Sequence, residues 1–148
     1  MSAPETIAGL FHDLIERGRG YIRKRAIVIG VGGAQGSGKS FQCRNFAETS
    51  DGRIAHLSLD DFYCTRAQRV HLAETRHPLM MTRGPPGTHD IRRAQGAIAQ
   101  LNRAKPSEQV RLPHFDKARD DRAPEETWRS IPGRPAAILF EGWCIGAT

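Results

Sequence analysis

Apolar residues follow two rhythms along this chain, short unbroken runs and a recurrence every three or four positions, and the two alternate. Ile7, Leu10, Phe11, Leu14 and Ile15 repeat at helical spacing, which predicts an amphipathic helix over 5–17 lying on a sheet and ended by Gly18 and Gly20. Ala26-Ile27-Val28-Ile29-Gly30-Val31 is a β-branched run of buried parallel-strand type. A helix over 38–49 should offer Phe41 and Phe46 to the core, and Asp51-Gly52 makes a turn before a second strand over 53–59. Residues 66–76 are polar with helical character, and 83–90, carrying Gly84, Pro85, Pro86 and Gly87, must be a shaped loop. Thr88 is placed to cap a helix that shows Ile91, Ala94, Ile98 and Leu101 on one face. The charged stretch 112–124 reads as loop, and a third strand over 136–140 ends in Glu141-Gly142. Strands alternating with helices predict an α/β fold around a parallel sheet.

Composition narrows the class. With 148 residues and 39% hydrophobic content the chain suits one domain, expected to bury about 70% of its unfolded surface. We expect 1–25 to be a helix and basic linker and 26–148 to be the binding core. No apolar run approaches the roughly 20 residues that span a bilayer, and His12 and Asp13 interrupt any leader-like stretch, so a cytoplasmic protein without membrane contact is expected. Cys43, Cys64 and Cys144 are odd in number and far apart, which suits reduced thiols. The net charge is +6, and five of the nine residues from Arg17 to Arg25 are basic. No nucleic-acid motif or interleaved aromatic set accompanies that run, so it reads as a solvated face rather than a nucleic-acid surface. Surplus positive charge also attracts small anions.

Gly33-Ala34-Gln35-Gly36-Ser37-Gly38-Lys39-Ser40 matches G-x-x-x-x-G-K-[ST] at every fixed position, between a strand and a helix as that loop requires. The glycines let backbone amides turn toward a polyphosphate, the helix start adds free N–H groups, and Lys39 adds a full charge. Phe41 follows within the same helix start. Ser40 would give a hydroxyl to Mg²⁺. A dinucleotide site is the competing reading of the glycines, and it fails because the third glycine of G-x-G-x-x-G after Gly30-Val31-Gly32 falls on Gln35.

The carboxyl ends of the three strands should bring Lys39, Ser40, Asp60, Asp61 and Glu141 together, and ligands bind at that edge of open α/β sheets. Phosphoryl transfer needs in-line positioning, charge neutralisation and a carboxylate to take the acceptor's proton. Asp60 is the candidate base. Glu141, with Ser40, is the candidate Mg²⁺ holder. The bland alternative for Asp60-Asp61 is a strand-end turn or helix cap. His89 either bonds substrate beside Asp90 or braces its loop; the other five histidines, His12, His56, His71, His77 and His114, lack metal-ligand spacing. Trp128 and Trp143 read as packing residues.

Taken in order, Gly30 to Ser40, Leu59-Asp60-Asp61-Phe62-Tyr63, Arg83-Gly84-Pro85-Pro86-Gly87-Thr88-His89-Asp90, Leu112-Pro113-His114-Phe115-Asp116-Lys117 and Phe140-Glu141-Gly142-Trp143 resemble the D-glycerate 3-kinase-like P-loop kinases of the phosphoribulokinase and uridine kinase group. The resemblance runs from about residue 26 to the last. It implies ATP and Mg²⁺, an alcohol acceptor on a small anionic hydroxy acid, Asp60 as base, Glu141 beside Mg²⁺, and an acceptor pocket that includes Tyr63, Arg83, Thr88, His89, Asp90, Lys117 and Arg122. Lys117, Arg119 and Arg122 are suited to grip a carboxylate.

Relatives of that group continue past the third strand with further strands and an arginine-bearing lid. With a strand order 2-3-1-4-5, this chain would supply strands 2, 3 and 1, a P-loop-type sheet truncated after its third core strand. The phosphate-loop strand would then be an open edge for a second copy or a partner chain. Three expectations follow: a piece of a longer product, a chain that needs a partner, or a decayed kinase that binds nucleotide without turnover.

Overall fold

The structure, a computed structural model, describes residues 6–22 and 24–146. Glu5, the expected start of the first helix, and Arg23 of the basic run lie outside the described residues. In chain order, α1 (Ile7–Tyr21) leads to β1 (Ile27–Gly32), α2 (Lys39–Glu48) and β2 (Ile54–Ser58). A 3-10 turn (Leu59–Phe62) precedes α3 (Arg66–Thr75), and α4 (Ile91–Arg103) follows the 83–90 loop. Short strands β3 (Gln109–Arg111), β4 (Phe115–Asp116), β5 (Asp121–Arg122) and β6 (Ser130–Pro132) precede β7 (Ala137–Gly142).

The main sheet is parallel in the order β1-β7-β2, so the strand latest in sequence lies in the middle, as the 2-3-1 expectation requires. Register aligns Ile27 with Ala137 and Ile54 with Ala137 at one edge, and Gly32 with Gly142 and Ser58 with Glu141 at the other. Alternation along β7 feeds two cores. Ala137 and Leu139 pack with Phe11, Ile15, Cys43 and Phe46 of α1 and α2, while Ile138 packs on the other face with Ala94, Ala97 and Leu101 of α4. Among the described residues β1 has β7 as its one partner, and Val28 on it is 46% exposed. No helix among the described residues is long and apolar enough to cross a membrane. The three cysteines are free, and Cys43 and Cys64 are buried.

Several expectations need correction. Gly18 and Gly20 do not end α1, which runs on to Tyr21. A Cβ at Gly18 would stand 3.0 Å from the Ile27 side chain, so this glycine lets α1 approach β1 closely, and packing outweighs the roughly 1 kcal/mol that glycine costs in a helix. Phe41 is 69% exposed and does not enter the core. Cys43, Phe46 and Ala47 define the inward face of α2, and a residue five positions before Phe46 lies about 140° round the helix from it. Asp90, not Thr88, caps α4: its Oδ1 accepts from Arg93 N at 3.0 Å. Ile91, at the first position of that helix, is exposed, and Ala97 joins Ala94 and Leu101 inside. The 112–124 stretch is not all loop. Asp116 Oδ1 accepts from Ala118 N and Arg119 N and closes a β4–β5 hairpin on buried Phe115. Trp143 is 43% exposed, whereas Trp128 is half-buried with its indole N–H donated to the Ala123 carbonyl.

Candidate functional site

The phosphate loop is built from local backbone chemistry. Gly36 and Gly38 adopt φ of 76° and 81°, a region that side chains disfavour, and Gly38 is the N-cap of α2 without any side-chain cap. The first amides of α2 are thereby free of a side-chain acceptor, as an anion site needs. Lys39 Nζ donates to the Ala34 carbonyl at 2.9 Å, which lays the ammonium across the loop.

Beside the loop, Ser40 Oγ donates to Glu141 Oε1 at 2.9 Å across 101 residues of sequence, because β7 lies next to β1 and carries Glu141 to the loop end. Glu141 is 2% exposed. Burial alone would raise its carboxyl, but His56 and the hydroxyls of Ser58 and Ser40 act together against it and hold the carboxyl down at about 2. His56, itself buried, stands behind it with Nε2 3.8 Å from Oε1. Hydroxyl and carboxylate oxygens are the hard donors that Mg²⁺ takes, and the carboxylate is kept ionised, so the pair fits that ion. No group of three or more His, Cys, Asp or Glu able to hold a metal occurs among the described residues. Mg²⁺ commonly binds through one or two protein oxygens plus phosphates and water, so two protein donors suit it.

The adjacent carboxylates at the end of β2 part company. Asp60 faces the cleft and receives Lys117 Nζ at 2.7 Å on Oδ2. Asp61 instead accepts from Phe115 N at 3.2 Å and pairs with His114 Nδ1 at 2.9 Å, so it anchors β4. Ser40, Asp60, Lys117 and Glu141 line one cleft of about 630 Å³, together with Arg44 and Arg129.

Behind Asp60 rises a second wall. Tyr63 stacks on His89 with centroids 4.3 Å apart, and burial, followed by the charge and hydrogen bond of Asp60, pushes its hydroxyl up to about 12. Burial also lowers His89, against the pull of Asp60, which favours the neutral ring of a brace. Arg122 Nη2 donates to the Tyr63 carbonyl at 3.3 Å and lies 3.6 Å from Asp90 Oδ2. Arg83 is bound to Asp120, whose other carboxylate oxygen takes Arg69 Nη2 at 2.9 Å.

Thr88 is fully buried, donates to the Pro85 carbonyl at 2.7 Å and accepts from Gly84 N at 3.1 Å, so it closes its own loop. His89 and Asp90 line a separate hollow of about 700 Å³ with Cys64, Leu72 and Ile91. Sequence reasoning passed over Arg69 and Asp120, and it set His56 aside only as lacking metal-ligand spacing. Arg69 is 1% exposed and donates to the carbonyls of Cys64, Met81 and Asp120, a role that no local pattern announces.

Comparison with known proteins adds independent weight. No family model matches the chain. An uncharacterized kinase of Schizosaccharomyces pombe is 34% identical over 133 residues, 82% of this chain and 47% of that protein. The chloroplastic D-glycerate 3-kinase of Arabidopsis thaliana is 32% identical over 130 residues, 81% of this chain and 28% of its own length. The solved D-glycerate 3-kinase of Cryptococcus neoformans superposes with a TM-score of 0.76 at 30% identity, over 93% of this chain and 51% of that one. In sequence and in fold the chain is thus related to the D-glycerate 3-kinase-like P-loop kinases, and it spans about half the length, or less, of these three relatives.

Proposed function

We propose that this chain carries the phosphate-binding and acceptor-binding parts of an ATP-dependent kinase that transfers the γ-phosphoryl group to a hydroxyl of a small hydroxy acid, D-glycerate giving 3-phosphoglycerate. The observation that carries the reading is Asp60 paired with Lys117 in the same cleft as Ser40 and Glu141. In this reading 26–148 acts as one core, and three reduced thiols suit the cytoplasm.

Each part has a physical task. The amides of the phosphate loop and the start of α2 receive the β- and γ-phosphate oxygens, and Lys39 leaves the Ala34 carbonyl for them. Ser40 and Glu141 would hold Mg²⁺, which supplies neutralisation of charge on the phosphates. Asp60 accepts the proton of the acceptor hydroxyl as oxygen attacks phosphorus, and ADP departs with the bond that breaks. Lys117 exchanges Asp60 for the acceptor's carboxylate, so substrate arrival itself frees the base. Gly33, Ala34, Gln35, Gly36, Ser37, Gly38 and Phe41 contact nucleotide. Tyr63, Arg83, His89, Asp90 and Arg122 shape the acceptor side.

The open edge of β1 favours a second reading, in which the chain binds nucleotide without turnover and a second copy or a partner extends its sheet. ADP release from Mg-ATP that depends on added D-glycerate supports the kinase, and ATP binding without it supports the module. Asp60→Asn should leave ATP affinity unchanged and lower turnover by roughly 10²- to 10⁴-fold. Wild-type turnover in that variant would remove Asp60 from the role of base.

A further inference from the structure

At the edge of the sheet opposite the phosphate loop, a hollow of about 430 Å³ is lined by Arg19, Arg25, Arg53 and Arg134. The register explains why they meet. Ile27, Ile54 and Ala137 are aligned at the start of the three parallel strands, and Arg25, Arg53 and Arg134 stand one to three residues before them. Arg19 comes from the last turn of α1. Segments more than a hundred residues apart therefore deliver guanidinium groups to one concavity, where Arg19 and Arg25 of the basic run meet Arg53 and Arg134.

Arg19 has its own partner, Glu16, at 2.6 Å, and it complements the helix C-terminus. Arg25, Arg53 and Arg134 pair with no carboxylate among the described residues; Arg134 donates only to the Lys24 carbonyl, at 3.0 Å. Asp51 is the one acidic residue in the lining. A guanidinium keeps its charge where a histidine or lysine can shed a proton, so the hollow presents fixed positive charge to a small anion. Two backbone amides at the strand starts are already used, Ala136 N donating to Arg53 O and Ile27 N to Ala136 O. The side chains are left as the donors. A hollow of this volume is of the size that small ligands occupy, and planar guanidinium forks match phosphate oxygens two at a time.

We infer that this hollow binds a small phosphorylated anion at a site separate from the phosphate loop. Occupancy leaves the carboxyl edge of the strands free, so the two sites fill independently.

Inorganic pyrophosphate is the probe, read by amide NMR on the full chain at low salt. Two groups of signals should shift, one at Gly36 to Ser40 and one at Gly52, Arg53, Ala136 and Ile27. Arg53→Gln with Arg134→Gln should weaken the second set by roughly tenfold or more and leave the first unchanged. Arg25→Gln, at a side chain with no hydrogen bond among the described residues, should weaken the second set several-fold with unchanged thermal stability, which separates loss of binding from loss of folding. The inference is overturned if the strand-start amides stay still at roughly millimolar pyrophosphate, or shift equally in the variants. Shifts produced there by a short DNA duplex but not by pyrophosphate would overturn it too.

Discussion

Gly33 to Ser40 form a candidate site from eight consecutive residues, whereas the wall beside them is assembled from the end of β2, the 83–90 loop and the β4–β5 hairpin. The loop holds its shape through glycine dihedrals and its own amides, and it is exposed. The wall holds its shape through a buried cation. Arg69 reaches three carbonyls and Asp120, and Arg83 takes the same carboxylate. A local site can be altered without touching the fold, while a distributed one cannot.

The largest separation of the two regions should come from Lys39→Ala. The ammonium's one hydrogen bond is to Ala34 O in an exposed loop, so urea unfolding should move by less than about 0.5 kcal/mol. ATP affinity should drop by roughly 100-fold, an electrostatic loss on the order of 3 kcal/mol. Isothermal titration and a urea midpoint on the same preparation check both halves, and equal losses in the two would break the comparison.

Arg69→Leu should do the reverse. Three carbonyls lose a donor and Asp120 loses a partner, so stability should fall by about 2–3 kcal/mol, seen as a lower urea midpoint. Nucleotide affinity, measured where the variant remains folded, should change less than twofold, because the 33–40 loop does not use this network. A loss of acceptor response with intact ATP binding would sharpen the contrast, since the hairpin that carries Lys117 hangs on Asp120.

The same contrast governs what could be read from residues alone. The loop and the Ser40–Glu141 meeting follow from a contiguous motif and from the rule that ligands gather at the carboxyl ends of parallel strands, while the strand order came from the resemblance to the kinase group. Asp60 was legible as a strand-end acid in the right company. Asp61 was not separable from it, because its partners, His114 and the amide of Phe115, are 53 and 54 residues away. Thr88 looked like a cap because Thr, Asp and a helical pattern stood together; only the loop's return to Gly84 and Pro85 distinguishes a buried loop clasp from a cap. Arg69 sat in a polar helix as one of many cations. Its burial depends on a hairpin that no local periodicity foretold, since β4 and β5 are two residues each.

Asp120→Asn should give the smallest effect, and its pH dependence tells whether the carboxylate matters as a charge. Burial raises the Asp120 carboxyl, but the hydrogen bonds and then the charges of Arg69 and Arg83 outweigh it and lower it below its ordinary value. A carboxyl lowered in the folded state contributes stability that is present above its unfolded value and is lost as pH falls through the folded one. The stability gap between wild type and Asp120→Asn should therefore be fully open at neutral pH and close as pH drops below the ordinary carboxylate range. Because the side chain is 40% exposed, water screens the pair, and the open gap should stay near or under about 1 kcal/mol. Asparagine tolerates the left-handed backbone at this position, where φ is 52°, so strain does not confuse the reading. Chemical denaturation at a series of pH values measures it, and the phosphate loop supplies the control. Lys39→Ala should leave a gap in stability that is near zero and flat across the same range, whereas a sloping one would mean that the loop and the wall share an acid-sensitive contact.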